Sequence, residues 1–247
     1  MKIYLAGHGT RHAHWVVDKF YDFYRLQSYY YINAKEKNLS SKYKDFILDS
    51  GVFSYLTSKK EQAKTLDWDK YIYDYAKYVK ENQIKNYVEV DIDTVIGVDE
   101  VQKLTDKLEK LVGWKPMPVW HLNRGYENWL KLCRDYDYIC FGAFLTDNLS
   151  SKKFPMINKF LYDAAKQKTK VHGLGFTPMM LLPKYKFYSV DSTTWSAGHR
   201  FGEVHKFDGS IITKNRFKNR RIKDPYALSN YNFYEWVKYS EYADINI

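Results

Sequence analysis

Two aspartates follow short β-branched and aromatic runs and are themselves followed by serine: Asp191 in FYSVDSTTW (187–195) and Asp49 in FILDSGVFSY (46–55). A lone aspartate in that place reads as a turn residue, its carboxylate accepting backbone N–H groups where a strand stops. Here the pattern recurs. Asp91 and Asp93 close a third run at VDID (90–93), His121 closes a fourth in MPVWHL (117–122), Gly142 and Ala143 lie in YICFGAF (138–144), and His172 and Gly173 lie in KVHGLGF (170–176). Carboxylates gathered from several strand ends suit chemistry at a glycosidic bond, one as nucleophile and one as general acid/base. Carboxylates crowded into one cavity repel one another, so at least one is left able to hold a proton near neutrality. Aspartates that each cap their own turn are the competing reading.

A gathering of this kind needs a scaffold that brings distant strand ends to one place. Eight runs have strand character: KIYLAG (2–7), DFILDS (45–50), YVEVDI (87–92), MPVWHL (117–122), YICFGAF (138–144), KVHGLGF (170–176), FYSVDS (187–192) and GSIITK (209–214). Between them the spacing predicts helices over 68–82, 98–113, 125–135 and 154–168. In the second, Val98, Val101, Leu104, Leu108 and Leu111 recur at helical spacing with Asp and Lys on the other face. Strand alternating with helix is the pattern of a parallel sheet. Eight such units over 247 residues fit an α/β fold of the (β/α)₈, TIM-like barrel kind, with chemistry at the C-terminal strand ends. A doubly wound open sheet is the alternative, less favoured because no glycine-rich phosphate loop follows the first run. No composition break divides the chain, so one compact barrel domain is expected over 1–247, with 213–247 a basic and aromatic C-terminal extension.

The formal charge is +10, from 39 Lys and Arg against 29 Asp and Glu, and such an excess favours polyanions, nucleic acid first among them. A solvated lysine-rich surface is the plainer explanation. The densest basic segment, TKNRFKNRRIKDPY (213–226), makes Lys214, Arg216, Lys218, Arg220 and Arg221 candidate phosphate contacts. After it, NYNFYEWVKYSEYADI is expected to pack as a helix or an extended flap. The two cysteines, Cys133 and Cys140, form no C-x-x-C pair, so neither a disulfide framework nor a thiolate zinc site is expected. His8, His12 and His14 lie close together near Arg11, but no carboxylate falls within that run, and contact with phosphate suits them better than a metal. No apolar run reaches the roughly 18 residues of a membrane span, and the N-terminal apolar stretch is too short for a signal peptide. Residence in the cytoplasm is expected, the host cytoplasm if the chain is phage-encoded.

Four motifs resemble one family, in order along the chain. DSGVF (49–53) resembles the D-S-G-x-F motif of the tRNA-guanine transglycosylases (queuine tRNA-ribosyltransferases), VDID (90–93) their L-D-I segment, HGLGFTP (172–178) their G-x-G stretch, and YSVDSTTW (188–195) their F-D-S nucleophile strand. Within that superfamily the chain looks most like the compact DpdA-like branch of phages and bacteria, which inserts 7-deazaguanine bases into DNA. The resemblance implies a nucleophile at Asp191, a general acid/base at Asp49, and a base-stacking ring at Phe53. It further implies contacts to the base from Asp91, Asp93, the Gly142–Ala143 backbone, His172 and Gly173. His121 falls where the family usually has a base-contacting glutamine, and a structural histidine is its other reading. The family's C-x-C-x-x-C zinc motif is missing, since both cysteines precede residue 141, and no appended RNA-binding domain is evident. The expectation is therefore exchange of guanine in DNA for a 7-deazaguanine (preQ0-like) base without a cofactor, helper proteins opening the duplex where needed. The same exchange on tRNA, a non-catalytic nucleic-acid-binding barrel subunit, and a glycosidase acting on free nucleosides are the alternatives.

Overall fold

A computed structural model describes residues 1–7, 20–32, 40–58, 66–142, 155–176, 178, 181–216 and 224–247. Eight parallel strands form one curled sheet: β1 (Lys2–Leu5), β2 (Tyr24–Ser28), β3 (Asp45–Asp49), β4 (Asn86–Tyr87), β5 (Val119–Trp120), β6 (Tyr138–Phe141), β7 (Lys170–Gly173) and β8 (Ser189–Ser192). Their order is β4-β3-β2-β1-β8-β7-β6-β5, so each strand lies beside its neighbours in sequence. The two outermost strands are linked just past their ends by a parallel bridge between Val88 and Met117. There Met117 N–H donates to Tyr87 O (2.7 Å) and Glu89 N–H to Met117 O (3.0 Å).

Because side chains alternate across a strand, each strand feeds two layers. Tyr4, Ala6, Tyr24, Leu26, Ile47, Val88, Met117, Val119 and Cys140 form one buried cluster inside the curl. The alternate positions face outward into helices. Phe46, Leu48 and Tyr87 pack with Ile72, Tyr75, Ala76 and Val79 of α2 (Trp68–Glu81) and Val101, Leu108 and Val112 of α4 (Val98–Val112). Those positions recur at i, i+3, i+4 and i+7, the stripe that drives a helix onto a sheet. Asp67 starts α2 by accepting from Lys70 N–H, and Gly113, at φ +101°, ends α4 in the left-handed region. Two short helices, α1 (Val52–Ser58) and α3 (Asp93–Ile96), lie just after the C-terminal ends of β3 and β4. On the other side, α5 (Gly125–Asp135), α6 (Ile157–Lys166) and a long C-terminal helix, α8 (Pro225–Asn246), cover β1 and β5–β8. No described helix is long and apolar enough to cross a membrane.

Two strand assignments change. Tyr24–Ser28, YRLQS, is a strand of the main sheet that the hydrophobic pattern does not announce, because Arg25 and Gln27 are polar yet buried. GSIITK is not a strand of that sheet. Ile212–Arg216 is β10, paired antiparallel with β9 (Glu203–Phe207) in a separate hairpin, reached from β8 through the short helix α7 (Ala197–Phe201). A run of β-branched residues predicts extended backbone but not the partner it pairs with. The aromatic segment after it is the helix α8, whose Ser240 hydroxyl donates to Ile3 O at 2.9 Å.

Candidate active site

Polar groups inside the curl divide between its two ends. At the N-terminal end Asp45 is fully engaged, accepting from Lys2 Nζ (2.8 Å), Tyr4 hydroxyl (2.9 Å) and Asn86 Nδ2 (3.2 Å). At the C-terminal end stand Asp49, Asp91 and Asp191, and among the described residues no lysine or arginine pairs with any of them. A cavity of about 310 Å³ lined by Lys168, Lys170, Lys186 and Tyr188 opens near the N-terminal ends of β7 and β8, away from these carboxylates.

Asp49 ends β3 and accepts Gly51 N–H at 3.0 Å. The turn that follows needs glycine: Gly51 has φ +83°, and a Cβ there would come within 2.5 Å of Tyr30 N. Burial raises the Asp49 carboxyl to about 7, the charge of Asp91 and then that of Asp191 adding to the rise, with the bond from Gly51 opposing it. Cys140, fully buried one layer below, is also pushed up by burial and by the charges of Asp91, Asp49, Glu89 and Asp191. The three carboxylates therefore share one electrostatic environment. Phe53, on α1 four residues after Asp49, is 45 % exposed.

Asp91 owes its position to its two acidic neighbours. Arg124 donates to Glu89 Oε1 (2.7 Å) and to Asp93 Oδ2 (3.2 Å), Asn123 Nδ2 adds a bond to Asp93 (2.9 Å), and Thr105 and Val119 N–H hold Glu89. Residues 89 and 93 are thus clamped to one cation, while Asp91 between them bonds His121 Nε2 at 3.0 Å. Burial lowers the His121 pKa, but the bond to Asp91 and the charges of Asp91 and Asp93 prevail, and the net shift is upward. Gly142 lies directly against that imidazole: a Cβ on it would meet His121 Cε1 at 2.6 Å and Val119 Cγ1 at 2.7 Å.

Asp191 is the last residue but one of β8, and its Oδ1 accepts Gly175 N–H at 2.7 Å and lies 3.3 Å from His172 Nε2. His172 is fully buried on β7, its Nδ1 2.6 Å from Ser189 Oγ, and Tyr138 hydroxyl reaches the same Ser189 oxygen. Gly173 packs against Phe176 and Phe187.

The sequence-based candidates thus divide by surroundings. Asp49, Asp91, His121, Gly142, His172 and Asp191 come together, and Phe53 stands close in sequence at the edge. Asp93 is held by Arg124 and Asn123, with its side chain 1 % exposed. Lys214 and Arg216 lie on the hairpin, Lys214 Nζ 3.0 Å from Glu203 and Arg216 Nε donating to Phe201 O. Ala143, Lys218, Arg220, Arg221, His8, Arg11, His12 and His14 lie outside the described residues. Arg124, Ser189, Tyr138 and Gly175 enter the site without having been singled out in the sequence. Ser189 had a signal, two residues before Asp191 and so on the same face of its strand, and so did Gly175, the second glycine of the G-x-G stretch in HGLGFTP. Among the described residues no group of three His, Cys, Asp or Glu side chains is arranged to hold a metal ion. The chain matches no protein-family model, no curated protein and no solved structure.

Proposed function

We propose that this protein is a guanine transglycosylase acting on nucleic acid, built on a TIM-like (β/α)₈ barrel, with Asp191 as nucleophile and Asp49 as general acid/base. The observation that carries the reading is the group of three carboxylates at the C-terminal ends of parallel strands that no lysine or arginine among the described residues pairs with, one of them raised to about 7. That end of a parallel α/β barrel is where its enzymes keep their chemistry. The strand order, sequential all the way round with its edges bridged, supports the barrel reading.

In the first half-reaction an Asp191 oxygen attacks the anomeric carbon of a guanine nucleotide. A C–O bond forms, the bond to N9 breaks, and its electron pair leaves with the base, which takes a proton from neutral Asp49. In the second half an incoming 7-deazaguanine gives its ring N–H proton to the Asp49 carboxylate, attacks the same carbon and releases Asp191. A carboxyl near 7 serves both halves, since it is present in both forms at neutral pH. No electrons are gained or lost, so the exchange needs no redox cofactor. Phe53 supplies a ring for stacking and the Asp91–His121 pair an edge for hydrogen bonding to the base.

The test is a base-exchange assay offering labelled guanine to DNA and to tRNA in parallel. Incorporation is expected into DNA, falling by about four orders of magnitude in Asp191→Asn while circular dichroism and nucleic-acid binding stay unchanged. Wild-type exchange by a verified, undeamidated Asp191→Asn protein sinks the assignment of the nucleophile.

A further inference from the structure

The reading of Asp191 as the reacting carboxylate leaves open which of its oxygens reacts and what aims it. Among the described residues both hydrogen-bond partners of that carboxylate fall on one oxygen: Gly175 N–H at 2.7 Å and His172 Nε2 at 3.3 Å, each on Oδ1. Behind His172 the polar contacts continue inward through Ser189 Oγ to the Tyr138 hydroxyl. The strand register builds this line. His172 of β7 stands beside Ser189 of β8, Ser189 and Asp191 share a face of β8, and Tyr138 projects from β6 into the same layer. The rings of Tyr4 and Tyr138 meet the imidazole edge-to-face at 5.7 and 6.5 Å, so His172 is fixed on both sides as well as at both nitrogens.

The direction of the hydrogens follows from what each group can do. An ionised carboxylate only accepts, so the His172 nitrogen facing Oδ1 carries the proton. With a single proton on the ring, Nδ1 is then an acceptor and takes the Ser189 O–H, which leaves the Ser189 oxygen to accept from Tyr138. In the reverse order the Nε2 lone pair faces the Oδ1 lone pairs beside a fully buried ring, an arrangement with nothing to offset the repulsion.

We propose that Tyr138, Ser189 and His172 form a positioning relay for the nucleophile: they fix His172 as the Nε2–H tautomer, and that N–H, with Gly175 N–H, anchors Asp191 Oδ1 so that Oδ2 is the attacking atom. The proposal rests on Asp191 being the reacting carboxylate. When Oδ2 forms the glycosyl ester, the charge on Oδ1 falls, and it returns as the ester breaks. The same two donors therefore favour departure of Asp191 in the second half-reaction.

Nitrogen-15 NMR of the histidine-labelled full chain tests the relay without any appeal to activity. The His172 signals are identified by their absence from His172→Gln. The relay requires Nε2 protonated and Nδ1 unprotonated but hydrogen-bonded in the wild type, with the Nδ1 signal moving toward that of an unbonded ring nitrogen in Ser189→Ala. In the exchange assay Ser189→Ala is expected to lower kcat about tenfold and His172→Met about a hundredfold, both at unchanged KM. His172→Gln keeps an N–H near the Nε2 position and is expected to retain more activity than His172→Met. A protonated Nδ1 in the wild type, or an Nδ1 signal unmoved by Ser189→Ala, overturns the proposal, as does wild-type kcat in His172→Met. If the wild type exchanges no base, the functional reading falls, while the nitrogen-15 result still decides whether the relay exists.

Discussion

At the scale of single residues, Asp49 makes the most direct claim, because its proton affinity is set by its surroundings. Burial is the largest cause, followed by the charge of Asp91. A carboxyl-carbon NMR titration of aspartate-labelled protein should therefore show one group titrating near 7. It should vanish in Asp49→Asn and move down in Asp91→Asn, and a spectrum with no carboxyl above about 5 contradicts the electrostatic account. The same shift bears on stability. The folded chain holds the Asp49 proton more tightly than the unfolded chain does, so this contribution is complete below the unfolded value, about 3.9. It is lost as pH rises through 7. Urea unfolding of Asp49→Asn should show a flatter decline between pH 4 and 8 than the wild type. At pH 8 the variant should be the more stable by about 2 kcal/mol, a discounted figure because Asp49 is not wholly out of water. The upward shift of His121 has the same sign, so part of the decline should survive in Asp49→Asn.

At the scale of elements, the site depends on residues set behind its carboxylates. Arg124, at the start of α5, holds Glu89 and Asp93 on either side of Asp91. Arg124→Met leaves two buried carboxylates without their cation and should cost about 3–5 kcal/mol in unfolding free energy. Gly142→Ala drives a methyl into His121 and Val119 and should cost about 1–3 kcal/mol. Unfolding free energies within about 0.5 kcal/mol of wild type for both would mean that neither contact is tight. These elements were unequally legible in the sequence. The helices at 68–81, 98–112 and 125–135 fall within a residue of where the 3.6-residue period puts them, because each buries one apolar stripe. β2 went unread because a strand enclosed on both faces can bury Arg25 and Gln27 where their polar groups find partners, and alternation then carries no signal. The carboxylates at the strand ends were legible as a set because each sits next to a run with strand character. The Arg124 clamp and the Tyr138–Ser189–His172 line join residues 17 to 51 positions apart, and only the assembled sheet brings them into contact.

At the scale of the whole molecule, a charge of +10 coexists with a site whose described ionisable groups are mostly acidic, so the cations that attract a polyanion must lie elsewhere. The hairpin carries two candidates, Lys214 and Arg216, beyond the short helix that follows Asp191. Among the described residues Arg216 bonds a backbone carbonyl through Nε, and its other guanidinium nitrogens have the fork geometry that suits phosphate. Lys214 already has Glu203 at 3.0 Å, so a phosphate there must compete with a carboxylate. Each phosphate neutralised releases counterions and adds roughly 0.9 to the slope of log affinity against log salt on duplex DNA. Neutralising Lys214, Arg216, Lys218, Arg220 and Arg221 together should therefore flatten the slope by about 3–4, less than five full contacts because of Glu203. A slope unchanged within error removes this segment from the interface. Flipping a base out of a duplex costs a few kcal/mol, and least where the guanine is already unpaired. Single-stranded or mismatched guanine should then exchange faster than paired guanine in the absence of helper proteins. The five-site variant should lose affinity for both substrates while keeping that ratio if, as the proposed function has it, the segment holds the backbone and the carboxylates meet the base. A ratio that collapses along with the affinity would mean that the segment takes part in opening the duplex, and the division between holding and reacting would be wrong.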